Sequence, residues 1–578
     1  TNLEHLRHSL AHLLAAAVLE LYPETLTTIG PAIDDGFYYD FDFKTPPSEK
    51  ELKVIEAKMK SLLKNWDAFS SQMISEGEAR EFFKNNPFKL ELIDEIVERG
   101  EEITFYTVGN FTDLCRGGHT PDCKKIDPAG FSLSRLAGAY WRGSEKNKQL
   151  TRIYGYAFEN KAELDNHVAL LEEAKKRDHR KIGKELELFT FDDLVGKGLV
   201  LWLPAGTIMR SAVEKMVEAV EEKYGYERVS TPHIGKQELF ETSGHLPYYA
   251  ASMYPPMTMD DGTYYLKAMN CPHHHVMYRS KPRSYRDLPV RYAEYGTVYR
   301  NELSGTLAGL LRVRALTMND AHIYCTKEQI KAEFAKVLEL TLAYFKLFGL
   351  TNYWFRLSKW DSSHSEKYIN EPANWEMTES ALREILVESK VPFTEVSDEA
   401  AFYGPKVDVQ FKSALGREET MSTIQLDFLA KDRFKLEYTD NEGKSNGEVF
   451  VIHRAPLSTH ERFMAFLIEH YAGAFPVWLS PKQVVVIPIG EAETEYSQKV
   501  YQELKSKGVR VSIDPSSESL GKRIREAKLK KVPYILVIGK KEVEANSISV
   551  ESRDEGALGA IPLEKFIEKI TPELKPEI

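Results

Sequence analysis

Apolar residues recur at helical spacing in two stretches near the start of the chain. This spacing predicts one helix over residues 1–20 and another over residues 49–66. The apolar faces comprise Leu3, Leu6, Leu10, Leu13, Leu14 and Val18 in the first, and Leu52, Ile55, Met59, Leu62 and Trp66 in the second. Residues 161–185 carry a thinner apolar stripe among many lysines and glutamates, which predicts a helical linker between domains.

The region from residue 186 to residue 480 mixes helical and strand-like patterns. Residues 328–347 read as a helix and residues 449–452 as a strand. Because the two kinds of element do not alternate regularly, the pattern predicts an α+β domain and not a doubly wound Rossmann sheet.

The pattern changes again in residues 481–578. Strand-like runs at 484–489, 509–513 and 534–538 alternate with helical patterns at 492–506 and 518–531. This β-α-β-α-β order predicts a small α/β domain whose strands are mostly parallel and buried on both faces.

Composition adds few restrictions. The chain has 578 residues, 42% hydrophobic and 28% charged, as is typical of globular proteins, and its length suggests about three to four domains. Four cysteines cannot form a disulfide framework, so we expect reduced thiols, metal ligands or reactive groups in a cytoplasmic protein. No apolar run approaches the ~20 residues of a membrane span. The net charge of −11 gives no global sign of nucleic-acid binding, although a local basic face can still bind phosphate.

The first domain contains a group of candidate functional side chains. His8 and His12 are four residues apart on the predicted first helix and therefore share a face. Asp113 precedes Cys115 and His119, which the intervening glycines place in a loop. Two histidines with a cysteine and a third histidine form a plausible zinc site. They equally suit a hydrolytic pocket without metal, since imidazoles can hold and deprotonate water near pH 7.

The central domain offers a second set, drawn from three distant segments. Cys271, His322 and His453 lack the tight spacing of a structural zinc knuckle, and each histidine could be an ordinary core residue. A catalytic zinc, however, commonly takes three distant protein ligands and keeps one position open. Cys325 and the run 273–275, which consists of three histidines, are competing candidates.

Arginines mark a possible anion site in the same domain. Arg300 ends a strand-like run, and a loop leads to a second run at 311–314 that contains Arg312. Arg462 opens an apolar helix. Guanidinium groups suit phosphate oxygens, although salt bridges would explain any one of these arginines. The chain has neither a Walker loop nor a GxGxxG motif, so the common nucleotide-binding folds are not supported.

At this point the sequence resembles threonyl-tRNA synthetases, which are class II aminoacyl-tRNA synthetases, over nearly its whole length. Residues 225–232, 300–320 and 452–463 resemble the three class II motifs, and residues 401–406 and 423–428 resemble further family blocks. The resemblance implies an editing domain at 1–160, a helical linker at 161–185, a catalytic domain with an antiparallel sheet at 186–480 and an anticodon-binding domain at 481–578. It also implies that the family's small N-terminal domain is absent.

The resemblance assigns roles to residues of the catalytic domain. Cys271, His322 and His453 would hold one Zn²⁺ ion, and Asp320, Tyr403 and Met269 would line the threonine pocket. Arg300 would bind the α-phosphate of ATP, while Arg312 and Arg462 would bind the γ-phosphate together with Mg²⁺. The further implied residues are Glu302, Leu316 and Gln425 around the nucleotide, and His245 near the 3′ end of tRNA.

Two other sites are implied by the resemblance. The editing site, which hydrolyses misloaded seryl-tRNA, would comprise His8, His12, Lys89, Asp113, Cys115 and His119. Arg525, Lys531 and Glu542 would contact the anticodon of tRNA(Thr), in a segment where residues 521–531 include six lysines or arginines. A homodimer through the catalytic domain is implied as well.

The sequence departs from the family pattern at several positions. Leu316 replaces the phenylalanine that stacks on adenine, Met318 a glutamine, Ser458 a glycine and Glu551 an arginine. Three alternatives therefore stay open at the level of sequence: a paralogue that does not aminoacylate, a free-standing deacylase and a structural zinc protein. Because the metal ligands and phosphate arginines are retained, we expect an active synthetase.

Overall fold

The computed structural model describes residues 2–364, 367–412, 418–514 and 516–576. They divide into two compact units, residues 1–172 and residues 173–578. Within the described ranges, none of the helices has the length and apolar character that a membrane crossing requires.

The first unit packs its longest helix against an antiparallel sheet. The sheet has the strand order β1-β3-β8-β7, β2 pairs with β3, and a separate sheet has the order β4-β5-β6. The helices are α1 (Asn2–Leu21), α2 (Leu52–Leu63), α3 (Glu76–Phe82) and α4 (Pro87–Glu98). The strands are β1 (Leu26–Thr27), β2 (Ala32–Ile33), β3 (Gly36–Asp42), β4 (Ser70–Met73), β5 (Thr104–Val108), β6 (Phe111–Leu114), β7 (Phe131–Tyr140) and β8 (Gln149–Ala157).

Both predicted N-terminal helices are confirmed, although the second is shorter than expected. The apolar stripe of α1 is buried in the core of the unit. The helix α2 ends at Leu63, and Trp66 reaches the same core from the loop that follows. The apolar spacing therefore continued past the end of the helix.

The predicted linker helix is interrupted. Residues 161–185 form two helices, α5 (Lys161–Arg177) and α6 (His179–Glu185). Asp178 separates them because its backbone is extended, with ψ 118°, and its carboxylate accepts a hydrogen bond from the backbone N of Arg180 at 2.8 Å. This is an N-cap, which begins a new helix and so ends the old one.

The core of the second unit is a large, mostly antiparallel sheet. Its strand order is β11-β15-β16-β23-β20-β19-β17-β18, and only the pairs β11–β15 and β17–β18 at its two edges are parallel. The strands up to residue 480 are β9 (Phe189–Thr190), β10 (Leu201–Trp202), β11 (Glu227–Arg228), β12 (Ile234–Lys236), β13 (Met257–Met259), β14 (Gly262–Leu266), β15 (Val290–Tyr299), β16 (Ala315–Cys325), β17 (Tyr353–Ser358), β18 (Phe393–Val396), β19 (Lys406–Lys412), β20 (Glu418–Asp427), β21 (Tyr438–Thr439), β22 (Ser445–Asn446) and β23 (Phe450–Arg454).

Helices pack on this sheet and complete its core. Side chains of α7, α11 and α14 join those of the central strands in one hydrophobic cluster. The helices are α7 (Pro204–Lys223), α8 (Gln237–Ser243), α9 (His245–Tyr248), α10 (Cys271–Arg279), α11 (Ile330–Leu347), α12 (Pro372–Glu388), α13 (Ala430–Phe434) and α14 (His460–Tyr471). The α+β prediction is confirmed.

The prediction of a strand over residues 311–314 is wrong. Residues 311–314 form a loop, and the strand β16 begins at Ala315. In this loop the backbone N of Arg314 donates to Gly198 O at 2.7 Å, and its backbone O accepts from Arg300 N at 2.9 Å. The loop is thus held across two neighbouring segments, and the antiparallel pairing with β15 starts one residue later, between Tyr299 and Ala315.

The C-terminal part of the second unit is an α/β layer with an added hairpin. Its strands are β24 (Val484–Pro488), β25 (Val511–Ile513), β26 (Tyr534–Ile538), β27 (Ser547–Ser552) and β28 (Gly556–Pro562), and its helices are α15 (Thr494–Ser506), α16 (Leu520–Leu529), α17 (Lys540–Glu544) and α18 (Leu563–Ile570). The pairs of β24 with β25 and β26 are parallel, whereas the pairs β26–β27 and β27–β28 are antiparallel. The prediction of a mostly parallel sheet is therefore wrong for the last two strands.

Candidate functional sites

A cavity of about 490 Å³, the central cavity, opens over the middle strands of the large sheet. Its walls come from β16, β20 and β23, from the start of α10 and from the start of α14. Every catalytic-domain residue to which the resemblance assigns a role, except His245, lines it: Met269, Cys271, Arg300, Glu302, Arg312, Leu316, Asp320, His322, Tyr403, Gln425, His453 and Arg462.

Three residues that could hold a metal ion, here called the metal-binding group, lie at one end of this cavity. His322 and His453 stand directly opposite each other on the adjacent strands β16 and β23. Cys271 begins α10, and its Sγ and one nitrogen of each histidine lie within 4.8 Å of one another. A thiol and two imidazoles that converge from three elements fit a zinc ion with one open position.

Burial controls the protonation of these donors. It lowers the pKa of His322 well below its ordinary value, with further contributions from His453 and His274, so this imidazole is neutral near pH 7. Burial also raises the pKa of the Cys271 thiol, and Asp320 and Asp427 add to this effect. A cation bound between them would favour the thiolate, because metal binding displaces the thiol proton. Cys325 lies elsewhere, in the hydrophobic core beneath the sheet.

Polar side chains surround the metal-binding group. Asp320 accepts a hydrogen bond from Asn270 Nδ2 at 2.9 Å, and burial raises the pKa of its carboxyl. The hydroxyl of Tyr403 donates to Gln425. These acceptors and donors face the same small space as the metal ligands, where the amine and hydroxyl of an amino acid could be bound.

The other end of the central cavity is strongly basic. The Nε atom of Arg300 is buried and, among the described residues, has no hydrogen-bond partner. Burial and then the charge of Arg300 lower the pKa of Arg462. Arg312 is bound to Glu302, with Nε donating to Oε2 at 2.9 Å. Guanidinium groups that repel one another would be stabilised by a polyanion.

His245 does not line the central cavity. It lies behind the metal-binding group in a small cavity that also touches Cys271, His275 and His453. Its Nδ1 is 2.7 Å from Ser243 Oγ, and burial, followed by the charges of His453 and Arg433, lowers its pKa to about 4.

Several residues at the site were not named from the sequence as functional. Asn270, Asp427 and Glu294 contact the named residues or their neighbours, and His274 was named only as a competing metal ligand. The one local signal was position, since Asn270 and His274 flank Cys271 in the chain. Asp427 and Glu294 lie on other strands, and only the fold brings them close.

The six residues assigned to editing come together in the first unit. His8 Nε2 is 3.3 Å from His12 Nε2 and 3.6 Å from Cys115 Sγ, which is 3.3 Å from His119 Nε2. Lys89 Nζ is 2.5 Å from Asp113 Oδ1 in a fully buried ion pair. All except His119 line a cavity of about 390 Å³. The sequence missed Tyr39, which donates to Asp113 Oδ2 at 2.7 Å.

Burial keeps the histidines of this editing cluster neutral. It lowers the pKa of His12 well below the ordinary value, and it lowers that of His119 to about 2, with help from the neighbouring histidines. Burial also raises the pKa of Cys115 to about 11. The four donors lie close enough to hold a metal ion, and without one they can bind water through neutral imidazoles.

The three residues assigned to the anticodon lie on different elements. Arg525, on α16, and Lys531, just beyond it, are exposed. The carboxylate of Glu542 accepts from Gly539 N at 2.9 Å and so caps its own helix. Arg523, in the same basic segment, is buried and donates to Pro488 O at 2.7 Å and to Asp514. The exposed basic face is therefore smaller than the sequence suggested.

Three stretches of the chain match known protein families. Residues 256–471 match the family "tRNA synthetase class II core domain (G, H, P, S and T)". Residues 483–573 match "Anticodon binding domain", and residues 103–154 match "Threonyl and Alanyl tRNA synthetase second additional domain".

Individual relatives are similar over almost the whole chain. The threonine–tRNA ligase of Staphylococcus carnosus is 48% identical over 575 residues, which cover 99% of this chain and 88% of that protein. The threonine–tRNA ligase of Anoxybacillus flavithermus is 47% identical, with 99% and 89% covered. A crystal structure titled as the RNA binding domain of threonyl-tRNA synthetase from Cryptosporidium parvum aligns with a TM-score of 0.66 at 36% identity, covering 69% of this chain and 99% of that chain. The chain therefore belongs to the threonine–tRNA ligase family.

Proposed function

We propose that this protein activates L-threonine with Mg²⁺-ATP and transfers it to the 3′ end of tRNA(Thr). The observation that carries the proposal is the central cavity, which joins a group able to bind a metal to a basic end able to bind a polyphosphate. The two substrates of amino-acid activation need these two environments side by side.

Threonine binds at the metal end of the cavity. Cys271, His322 and His453 would hold Zn²⁺, which would supply coordination to the amine and hydroxyl of the amino acid. Asp320 lies beside the ligands and accepts from the amine, while Tyr403 and Met269 close the pocket. Valine has the shape of threonine but no hydroxyl, so it would leave buried polar groups unpaired.

ATP binds at the basic end. A carboxylate oxygen of threonine attacks the α-phosphorus, and the bond to the leaving pyrophosphate oxygen breaks. Arg300 stabilises charge at the α-phosphate, and Arg312 and Arg462 hold the γ-phosphate with Mg²⁺. Glu302, Leu316 and Gln425 surround the rest of the nucleotide. The chain contributes mainly position and fixed positive charge.

Transfer follows at the same site. A ribose hydroxyl of the terminal adenosine attacks the threonyl carbonyl carbon, and AMP leaves. His245 lies in the small cavity behind the metal-binding group, and its lowered pKa keeps it neutral near pH 7, so it would accept the hydroxyl proton if the tRNA end reached it.

The first unit removes misloaded serine. Serine keeps the hydroxyl and lacks one methyl group, a difference worth only about 1–3 kcal/mol in binding, so the activation site alone cannot exclude it. Water attacks the seryl ester and releases serine and intact tRNA. His8, His12 and His119 hold the water, and the buried pair of Lys89 and Asp113 orients the ester.

A second copy of the chain covers an exposed apolar surface of the catalytic region. Leu194 is 98% exposed, and the neighbouring Val195 and Leu201 are also exposed. We expect a homodimer in sedimentation velocity and a monomer for Leu194→Glu. Leu529→Glu, at another exposed leucine on α16, is the control and should leave the dimer intact. A wild-type monomer would contradict this part of the proposal.

The activation step is tested by threonine-dependent exchange of pyrophosphate with ATP. We expect exchange with threonine, less with serine, none with valine, and a loss of at least about 100-fold in Cys271→Ala, since an open-site metal ligand is removed. Cys325→Ala is the matched control, because it removes a buried thiol outside the metal-binding group. Folded, zinc-loaded protein without exchange would refute the proposed activation.

Editing is tested separately with seryl-tRNA(Thr). Asp113→Asn should slow deacylation strongly while leaving pyrophosphate exchange unchanged, because the two sites lie in different units. Equal deacylation by the variant and the wild type would show that the cluster around Asp113 is not the editing site.

A further inference from the structure

The run of three histidines after Cys271 has a structural role that the proposed reaction does not use. Helical spacing places His274 and His275 on the face of α10 that carries Cys271, and turns His273 away. His274 Nδ1 is 2.7 Å from His322 Nδ1, whereas His273 Nε2 faces the backbone O of Ile234 at 3.5 Å. His274 thus contacts a proposed metal ligand from behind.

Two imidazole nitrogens at this distance share one proton. Which of the two rings donates it decides whether His322 can bind a metal. If His322 donates from Nδ1, its Nε2 keeps a free lone pair. If His274 donates, Nε2 of neutral His322 carries the proton and cannot bind the ion. Nε2 lies on the cavity side, 4.0 Å from Asp320 Oδ1.

A buried carboxylate selects the first arrangement. His274 Nε2 is 3.5 Å from Glu294 Oε1. The Lys267 ammonium lies 3.5 Å from the same Oε1 and stabilises the ionised carboxylate. A carboxylate accepts and does not donate, so it favours the tautomer of neutral His274 that carries its proton on Nε2. The Nδ1 atom of His274 is then an acceptor, and His322 must donate to it.

Thr231 fixes the position of Glu294. The backbone N of Thr231 donates to Oε2 at 2.9 Å, and its hydroxyl donates to Oε1 at 2.8 Å. The other histidine ligand has a simpler arrangement, in which His453 Nε2 lies 3.0 Å from Asp427 Oδ2 and leaves Nδ1 for the metal. Outer partners of this kind orient metal-binding imidazoles and set their tautomers.

We propose that Glu294 and His274 are positioning residues that act in series to hold His322 in its metal-binding tautomer. This inference rests on the zinc site of the proposed function. It predicts that zinc affinity depends on two residues that do not touch the ion, and that Glu294 acts only through His274.

The test measures the zinc dissociation constant of the full chain by competition with a chromophoric chelator. His274→Phe removes the acceptor and should weaken zinc binding about 10–100-fold. His274→Asn keeps an acceptor oxygen near the position of Nδ1 and should stay within a few fold of the wild type. In Glu294→Gln, the new amide can donate to His274 Nε2, so His274 would donate from Nδ1 to His322 and the proton of His322 would move to Nε2. We therefore expect this variant to weaken zinc binding at least about 10-fold. His273→Asn is the matched control and should have no effect.

A double variant tests whether Glu294 acts through His274 or whether each substitution weakens zinc binding by disturbing the fold. In the His274→Asn background, Glu294→Gln should change zinc affinity by less than about 2-fold, because the link between the two residues is already lost. At saturating zinc, the variants should raise the KM for threonine and leave the KM for ATP unchanged. Circular dichroism confirms that each variant is folded.

The outcomes distinguish this inference from the function on which it rests. If the wild type binds zinc and His274→Phe and Glu294→Gln bind it equally well, the relay is overturned while the zinc site stands. If the effects of Glu294→Gln are the same with and without His274, the two residues do not act in series. If the wild type binds no zinc, or if Cys271→Ala binds zinc as well as the wild type does, the proposed zinc site itself is overturned.

Discussion

The ion pair between Glu221 and Arg454 supports the catalytic strands from behind. Arg454 Nη2 is 2.7 Å from Glu221 Oε1, and both side chains are almost completely buried. Asn319 Nδ2 also donates to Glu221 at 3.1 Å. Arg454 follows His453 and Asn319 precedes Asp320, so one carboxylate ties together the two strands that carry the candidate metal ligands His322 and His453.

The two single substitutions should have unequal costs. Removing one partner of a buried ion pair costs about 3–5 kcal/mol. Arg454→Met leaves Glu221 bound to Arg228, at 2.7 Å, and to Asn319, so we expect about 3 kcal/mol. Glu221→Gln leaves the Arg454 guanidinium over the ring of Tyr226, 4.3 Å from its centroid, without a carboxylate among the described residues, so we expect about 5 kcal/mol. The double variant should cost no more than Arg454→Met alone.

Hydrogen exchange of peptides from β16 and β23, followed by mass spectrometry, measures these costs locally. A loss of 3 kcal/mol accelerates exchange about 100-fold, and 5 kcal/mol accelerates it more than about 1000-fold. Arg383→Met, which breaks the more exposed pair with Glu395, should cost less than about 1 kcal/mol. If Glu221→Gln accelerated exchange no more than Arg383→Met, or if the two buried substitutions were additive, the reasoning would be wrong.

Three further predictions concern single positions. Ser458 has a left-handed backbone, with φ +54°, so Ser458→Gly should raise stability by about 0.5–1 kcal/mol in urea unfolding, whereas Ser458→Ala, which keeps the strain, should not. Leu316 lines the central cavity. If adenine binds beside it as proposed, Leu316→Phe should lower the KM for ATP about 5-fold by adding about 1 kcal/mol of stacking, and an unchanged KM would exclude adenine from this position. Burial lowers the pKa of His245 from 6.5 to about 4, so on acidification the unfolded state takes up this proton before the folded state does. The contribution of His245 to the free energy of unfolding, present above pH 6.5, should therefore fall by about 2 kcal/mol between pH 7 and pH 5. Urea midpoints at the two pH values measure this fall, which should be absent in His245→Gln.

The sequence predicted the elements better than their contacts. The helix α1 is buried along one face and the strand β26 on both faces, so their apolar patterns are strong and both elements were located correctly. The break at Asp178 was missed because a cap depends on backbone angles that a charged helical pattern does not reveal. The hairpin of β27 and β28 was missed because the exposed residues of β28 lack an apolar alternation.

The residues of the candidate sites also differ in how much the sequence reveals of them. Cys271, His322 and His453 could be named as a set, but their chain spacing carries no metal signature, and only the resemblance preferred them over Cys325 and the histidines at 273–275. His274 could be noticed in the chain, but its contact with His322 depends on how α10 docks against β16. Glu294 and Tyr39 gave no signal at all, because they act through tertiary contacts with buried partners.

The strand β16 carries residues of both ends of the central cavity on one face. Leu316, Met318, Asp320 and His322 alternate with residues that face away, and all four line the cavity. The strand is paired on both sides near its end, so the separation of Leu316 and His322, about 20 Å along an extended chain, is rigid. In the proposed function, the strand therefore fixes the distance between the nucleotide and the amino acid. Substitutions at the His322 end would change the amino acid accepted while the other end stays in place, but inserting a single residue between Leu316 and His322 would turn the side chains of one half of the strand to the wrong face of the sheet.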